Sequence, residues 1–223
     1  MIIMTTVIAL RCPLCTAPGA QHYHRDSRRH YLQCPRCQLV FVDPAERLSA
    51  AAEKAEYDLH QNVIDDSGYQ QFLTRLAKPM LARLTVGMQG LDFGCGDGPA
   101  LAQLFTEAGL VMSCYDLFYR HDPALLQCEY HFITATEVVE HLFEPGLVLS
   151  QLWAQLYGGG HLGLMTKLVI DREAFATWHY KNDQTHVCFF SVETFVWLAT
   201  SLGAELEILG SDVIILSKPD IEP

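Results

Sequence analysis

From about Met88 onward, short apolar runs alternate with segments of helical periodicity. Gly90 to Phe93 reads as a strand, Pro99 to Ala108 as a helix stopped by Gly109, and Leu110 to Asp116 as a second strand. Tyr130 to Ala135 reads as another strand. Glu137 to Tyr157 reads as a long helical region broken at Pro145-Gly146, and His161 to Thr166 as a strand after Gly158-Gly159-Gly160. A helix over Val192–Leu202 ends at Gly203. Ala204 to Leu209 and Val213 to Ser217 then flank Gly210-Ser211-Asp212 as a hairpin. Alternating elements predict a doubly wound α/β parallel sheet, with one antiparallel strand added by the hairpin.

The first third is different. Residues 45–85 read as helical, first Ala45 to Tyr57 and then Tyr69 to Leu84. In the second run Phe72, Leu73, Leu76, Met80, Leu81 and Leu84 recur at helical spacing, and Pro79 is placed to kink it. Residues 11–43 carry two cysteine pairs and few helix-favouring runs. The expected organisation is a small ribbon over 1–43, a helical connector or lid over 44–85, and a cofactor-binding domain over 86–223.

The cysteines sort into two groups. Cys12-Pro-Leu-Cys15 and Cys34-Pro-Arg-Cys37 are two Cys-x₂-Cys knuckles separated by eighteen residues. Each knuckle offers two thiolates from one tight turn, and four complete a tetrahedron with no open position. That pattern predicts structural, not catalytic, zinc. Cys95, Cys114, Cys128 and Cys188 are scattered, which suits reduced thiols and a cytoplasmic setting better than a disulfide framework. His22, His24 and His30 lie between the knuckles and are expected to be exposed, not ligands.

Charge narrows the partners. The formal charge of -11 opposes tight, non-specific nucleic-acid binding by the whole protein. Arg25, Arg28 and Arg29, near Arg11 and Arg36, still leave residues 25–36 as either a solvated face or a surface for an anionic acceptor such as RNA. No run reaches the roughly 20 apolar residues of a membrane-spanning helix. The apolar opening Met1 to Leu10 lacks a basic start and a small-residue cleavage site, so it reads as a short strand or loose end.

Chemistry concentrates at Leu91-Asp92-Phe93-Gly94-Cys95-Gly96-Asp97-Gly98, followed about twenty residues later by Asp116. A strand running into closely spaced glycines, then an acid ending the next strand, describes a nucleotide-type cofactor site. Pro99 stands where a dinucleotide fingerprint would need its third glycine, which disfavours a nicotinamide oxidoreductase. This motif, Thr134-Ala135-Thr136-Glu137-Val138-Val139-Glu140-His141-Leu142, and Gly158-Gly159-Gly160-His161-Leu162 together resemble the class I S-adenosylmethionine-dependent methyltransferases over roughly residues 70–218.

The resemblance implies a cofactor pocket built from Asp92, Phe93, Gly94, Cys95, Gly96, Asp116, Thr136 and Glu137, with the methionine end near Asp92 and the ribose on Asp116. Only about fourteen residues separate Asp116 from the strand at Tyr130, so the family's third strand and its helices are expected to be reduced or missing. Leu117, Phe118 and Tyr119 are then the candidates to pack on adenine.

The spacing of Glu137, Glu140 and His141 resembles that of ubiquinone-pathway and small-RNA 2′-O-methyltransferases, where it holds a divalent metal. A structural or acceptor-lining role is the alternative. Downstream, residues 178–191 carry Trp178, His179, Tyr180, Lys181, Asp183 and His186 where related enzymes place an acceptor lid. His186, oriented by Asp183, suits a general base or a further metal ligand, or packs locally; His141 and Glu137 are further catalytic candidates. A cysteine ribbon ahead of this fold also resembles some ribosomal RNA guanine methyltransferases and some sugar methyltransferases. The acceptor is therefore open, with a small molecule favoured. A fold that binds cofactor without catalysis is the reading from another class.

Overall fold

The computed structural model describes residues 10–59 and 67–220. The reading of the opening stretch up to Ala9 lies outside them, as does the middle of the 44–85 connector. The elements in chain order are β1 (Gln21–Arg25), β2 (His30–Gln33), β3 (Val40–Val42), α1 (Ala50–Tyr57), α2 (Ser67–Leu81), β4 (Gln89–Phe93), α3 (Ala100–Glu107) and β5 (Val111–Tyr115). They continue with β6 (Tyr130–Thr136), α4 (Pro145–Ala154), β7 (Leu156–Met165), α5 (Arg172–Thr177), β8 (Cys188–Phe189), α6 (Val192–Leu202), β9 (Glu205–Leu209) and β10 (Val213–Ser217).

The main sheet has six strands in the order β5-β4-β6-β7-β10-β9. β5, β4, β6 and β7 are parallel, and β10 runs antiparallel to both β7 and β9, as the hairpin reading required. Side chains alternate between its two faces. Phe132, Met165, Val213 and Ile215 join α2 and α3 in one core, while Ile133, Leu164, Ile214 and Leu216 join α4 and α6 in the other. The expected loss of a third strand is realised. After Asp116 the chain makes a tight turn to Arg120 and one helical turn over Pro123–Gln127, then enters β6, leaving β5 at the sheet edge.

Several boundaries differ from the periodicity reading. Glu137 to Tyr157 is not one helix. Glu137 takes a left-handed backbone (φ 53°), a single turn spans Val139–His141, and α4 begins at Pro145. Proline at the first helical position starts a helix, because its missing N–H would have had no partner there. Ala45 to Tyr57 divides into one turn at Pro44–Glu46 and α1, which Ser49 caps through Ala52 N. Pro79 sits inside the last turn of α2, and the strand expected at His161 begins at Leu156.

The ribbon is fused to the larger unit. Its sheet, β1-β2-β3-β8, takes its last strand from residues 188–189. Tyr31, Phe41 and Leu39 share one continuous core with Leu149, Phe189 and Phe195. The first knuckle lies against the start of α4, where Gly146 N donates to Pro13 O at 3.2 Å. A Cβ on Gly146 would meet Leu14 O at 2.1 Å, so only glycine permits this approach.

Candidate active site

Gly94 and Gly96 take left-handed backbones (φ 74° and 64°) directly beyond β4, turning the chain across the carboxyl ends of the parallel strands. A Cβ on Gly94 would also fall 2.5 Å from Val138 Cγ2. The turn is held by Gly94 N and Cys95 N, which donate to Tyr115 O at 2.8 and 3.2 Å. Asp116 Oδ2 accepts from Gly96 N at 3.0 Å, and its Oδ1 accepts from Phe118 N and Tyr119 N at 2.8 and 3.1 Å. One carboxylate therefore fixes both loops that frame the cleft.

A cleft opens there, lined by Asp92, Gly94, Cys95, Thr136 and, from α2, Tyr69 and Leu73. Asp92 is buried and accepts from Thr134 Oγ1 at 2.9 Å. Burial, with some help from Asp116, pushes its carboxyl up to about 7. Phe93 stacks on Tyr115 (centroids 5.4 Å apart). Leu117 is exposed, Phe118 faces Tyr57 of α1 at 5.7 Å, and Tyr119 Oη donates to Asp58 at 2.8 Å. Periodicity gave no reason to single out Tyr57 or Tyr69, since an aromatic on a helix ordinarily belongs to a core.

Beside the cleft lies a second cluster. Tyr57 also meets His141 (5.3 Å), which stacks edge-on against His186 (4.6 Å), which in turn lies 4.2 Å from Tyr180. Tyr180 Oη donates to Glu140 Oε1 and contacts Glu137 Oε2 at 3.2 Å. Glu140 has no exposed surface, and burial reinforced by Glu137 pushes its carboxyl up to about 8. Burial likewise raises Glu137. Thr136 Oγ1, Glu137 Oε1 and Glu140 Oε2 are buried without a hydrogen-bond partner.

His186 has a defined tautomer. Its Nδ1 lies 2.7 Å from Tyr180 O, a carbonyl that can only accept, so Nδ1 carries the proton and Nε2 keeps its lone pair. Burial depresses its basicity, while Asp183 and the Tyr180 carbonyl oppose the shift. Asp183 Oδ2 lies 3.7 Å from Nε2, and its Oδ1 accepts from Thr185 N and Oγ1 at 2.8 and 2.6 Å. Burial works against the Asp183 charge, but these bonds and His186 hold its carboxyl below the usual range. Trp178 packs among Phe175, Tyr180 and Phe189, whereas His179 is exposed and 3.0 Å from Lys167 Nζ.

The expected metal set changes. Ligand atoms of Glu140, His141 and His186 lie within 4.8 Å of one another, and Glu137 is not in this group. The left-handed turn at Glu137 breaks the helix on which the three sequence neighbours would have shared a face. The ribbon cysteines do converge. Cys12 and Cys37 sulfurs are 3.5 Å apart, Cys15 and Cys34 3.4 Å, and all four are buried within 4.8 Å of one another. Four zinc–sulfur bonds of about 2.3 Å in a tetrahedron need sulfurs spaced by about 3.8 Å, so the donor set fits. Thr16 and Gln38, each one residue past a knuckle, take matching left-handed backbones (φ 58° and 61°). His22 and His30 pair with each other at 2.8 Å, away from the sulfurs. Arg29 is buried and turned inward, which removes it from any surface for an anionic partner.

Residues 65–208 match the sequence profile of the methyltransferase domain family. The chain belongs to that family. With the glycine turn and the six-stranded sheet, it is a class I S-adenosylmethionine-dependent methyltransferase. A comparison with curated protein sequences gives no significant match. Among solved structures, this methyltransferase is similar in fold to magnesium protoporphyrin IX methyltransferase from Synechocystis PCC 6803 with bound S-adenosylhomocysteine. The TM-score is 0.54 and the identity 15%, over 75% of this chain and 93% of that one. It also resembles 1,6-didemethyltoxoflavin-N1-methyltransferase from Burkholderia thailandensis, bound to 1,6-didemethyltoxoflavin and S-adenosylhomocysteine (TM-score 0.51, 16% identity, 90% of this chain and 100% of that one). A third likeness is an O-methyltransferase family protein from Burkholderia thailandensis (TM-score 0.51, 12% identity, 76% of this chain). The methyltransferase spans 64% of that protein's length. Among the described residues, no helix is long and apolar enough to cross a membrane.

Proposed function

We propose that this methyltransferase moves the methyl group of S-adenosylmethionine to a small-molecule acceptor bound between the cofactor cleft and the 178–191 lid, with His186 as general base. The observation that carries this reading is the Nδ1 bond of His186 to Tyr180 O, which directs the Nε2 lone pair toward the cluster beside the cleft. The acceptor atom attacks the methyl carbon in line as the sulfur–methyl bond breaks. Its proton passes to His186 Nε2, and the sulfonium leaves as the neutral thioether. Asp183 stabilises the imidazolium, and Tyr180 with Glu137 and Glu140 lines the acceptor side. Asp92 takes the methionine end of the cofactor, and Asp116 the ribose. Cys12, Cys15, Cys34 and Cys37 hold a structural zinc.

Three observations favour a small acceptor. The protein carries a net charge of -11, Arg29 is turned inward, and the named acceptors of two fold neighbours are small molecules. Labelled cofactor added to size-fractionated cell extract tests this: label should enter the small-molecule fraction and persist after nuclease. Nuclease-sensitive macromolecular label would select RNA, and bound cofactor with no transfer would select a non-catalytic binder. Once an acceptor is known, His186→Gln should lower kcat by roughly 10² to 10⁴, the range for losing a general base, with cofactor affinity preserved. A variant retaining most of its turnover would remove His186 from the mechanism.

A second reading of the cluster places a divalent cation on Glu140, His141 and His186, favoured by the buried, unpartnered Glu140 Oε2. The two readings compete for His186 Nε2. Manganese added to the zinc-loaded protein discriminates between them. Broadened His141 and His186 ring resonances select the cation, and unchanged resonances select the base.

Asp92 sets a pH dependence. Its folded value of about 7 lies above the 3.8 of an ordinary aspartate, so the folded chain keeps a proton that the unfolded chain releases across this window. Its contribution to stability therefore falls as pH rises from about 4 to 7 and is level above. A cationic cofactor favours the ionised form, so binding below pH 7 should release a proton and tighten as pH approaches 7. Calorimetry at pH 6 in buffers of different ionisation enthalpy reads that proton; identical heats in all buffers would contradict the assignment.

A further inference from the structure

Arg29 belongs to the ribbon by sequence and to the lid by contact. It is 4% exposed. Its Nη1 donates to Gln184 O and His186 O, both at 2.9 Å, and its Nη2 to Asp183 O at 2.8 Å and to Lys181 O. Its Nε donates to Tyr31 Oη at 3.3 Å. A guanidinium has five N–H donors, and here all five are used. Four of them serve backbone carbonyls: Lys181 O in the helical turn over His179–Asn182, and Asp183 O, Gln184 O and His186 O in a stretch, residues 183–187, that has neither helix nor strand to pair its backbone. Unpaired, the buried carbonyls of Lys181 and His186 would carry a desolvation cost, so one ribbon side chain does for this stretch what secondary structure does elsewhere.

A second tie runs the other way. Lys181, 5% exposed, reaches back from the lid to Asp26 Oδ2 at 3.1 Å. Asp26 sits in the β1–β2 turn and also accepts from Arg28 N and Arg29 N, both at 2.8 Å, and from Tyr31 Oη at 3.0 Å. Close by, Val42 N of β3 donates to Val187 O at 2.9 Å, and β3 pairs with β8. His186 is thus held at two points: its carbonyl by Arg29 and its ring by Tyr180 O.

We propose that the ribbon is a positioning element for the active site. Arg29, with the Lys181–Asp26 pair, fixes the lid backbone and thereby aims the His186 ring at the acceptor space. The inference rests on the proposed role of the lid. It assigns the ribbon a task in the chemical step although none of its residues lines the cofactor cleft. Arg29 is a positioning residue, and lysine cannot replace it, because one ammonium with three donors does not span five acceptors.

The test compares Arg29→Lys and Arg29→Ala with the wild type in the full, zinc-loaded chain, and adds Asp26→Asn, a milder cut, should the alanine variant not fold. Amide exchange over residues 181–187 should accelerate by about 100-fold in the Arg29 variants, as expected for losing several charged hydrogen bonds. Calorimetric affinity for S-adenosylhomocysteine should stay at its wild-type value. With an acceptor in hand, kcat should fall by roughly 100-fold, the scale of a small misplacement of a catalytic group, with KM little changed. Added guanidinium should recover part of the loss in Arg29→Ala and none in Arg29→Lys. Unchanged lid exchange would overturn the proposal, as would cofactor affinity lost in step with the lid. If the wild type transfers no methyl group, the catalytic reading fails, and exchange with cofactor affinity still decides the latch.

Discussion

The Asp116→Ala variant should bind S-adenosylhomocysteine about 100-fold more weakly than the wild type. Asp116 accepts from Gly96 N, Phe118 N and Tyr119 N, and in its proposed role its remaining acceptor capacity serves the two ribose hydroxyls. A hydrogen bond to an ionised group contributes about 1.5–3 kcal/mol, so losing two ribose bonds costs at least about 3 kcal/mol, close to two powers of ten. The loss of the three amide bonds also loosens the loops. Asp116→Asn is not conservative: its NH₂ must face either Gly96 N–H or the Phe118 and Tyr119 N–H groups, setting donor against donor. Both variants are read by calorimetry. An alanine variant within a few-fold of wild-type affinity would take Asp116 out of the cofactor site.

If the four cysteines hold zinc as proposed, removing it, by chelation or by Cys34→Ser, should have a larger structural effect than the size of the ribbon suggests. Structural zinc contributes apparent binding energies of about 10–16 kcal/mol in small domains, comparable with the whole stability of an ordinary domain. In a detached ribbon that loss would remain local. Here β3 carries β8, the first knuckle buttresses α4 at Gly146, and one core runs through both. The metal-free chain should therefore melt at least about 10 °C lower, the shift expected when several kcal/mol are lost from a chain of this size. Elemental analysis should find one zinc per chain. A metal-free chain with an unchanged melting curve would contradict the assignment.

Much of the fold could be read locally. Short apolar runs gave β4 and β6, Gly210-Ser211-Asp212 between two such runs gave the terminal hairpin, and Gly203 marked the end of α6. The short interval between Asp116 and Tyr130 was enough to remove a strand, because a crossover needs a minimum length of chain. What stayed hidden depends on contacts distant in sequence. β8 is two residues long and exists only because β3 lies beside it. Arg29 looks like any arginine in a polar hairpin until the lid 152 to 157 residues away supplies its carbonyls. The helix assigned to Glu137 failed for a local reason, a left-handed residue that is not glycine, and Pro145 already marked the true start of α4.

The candidate site was legible to the same degree. The glycine turn and Asp116 were readable as a motif, because the backbone geometry demands those residue types. Glu140, His141 and His186 come together across forty-five residues, and no helical spacing could group them. Tyr57 and Tyr69 enter the site from helices whose periodicity speaks only of burial.

Titration of the zinc-loaded wild-type protein with S-adenosylhomocysteine tests the central claim most directly, namely that the turn beyond β4 holds an adenosyl cofactor. Saturable heat at one site per chain, with a rise in melting temperature, is the predicted result. Absence of both at millimolar ligand would contradict the account.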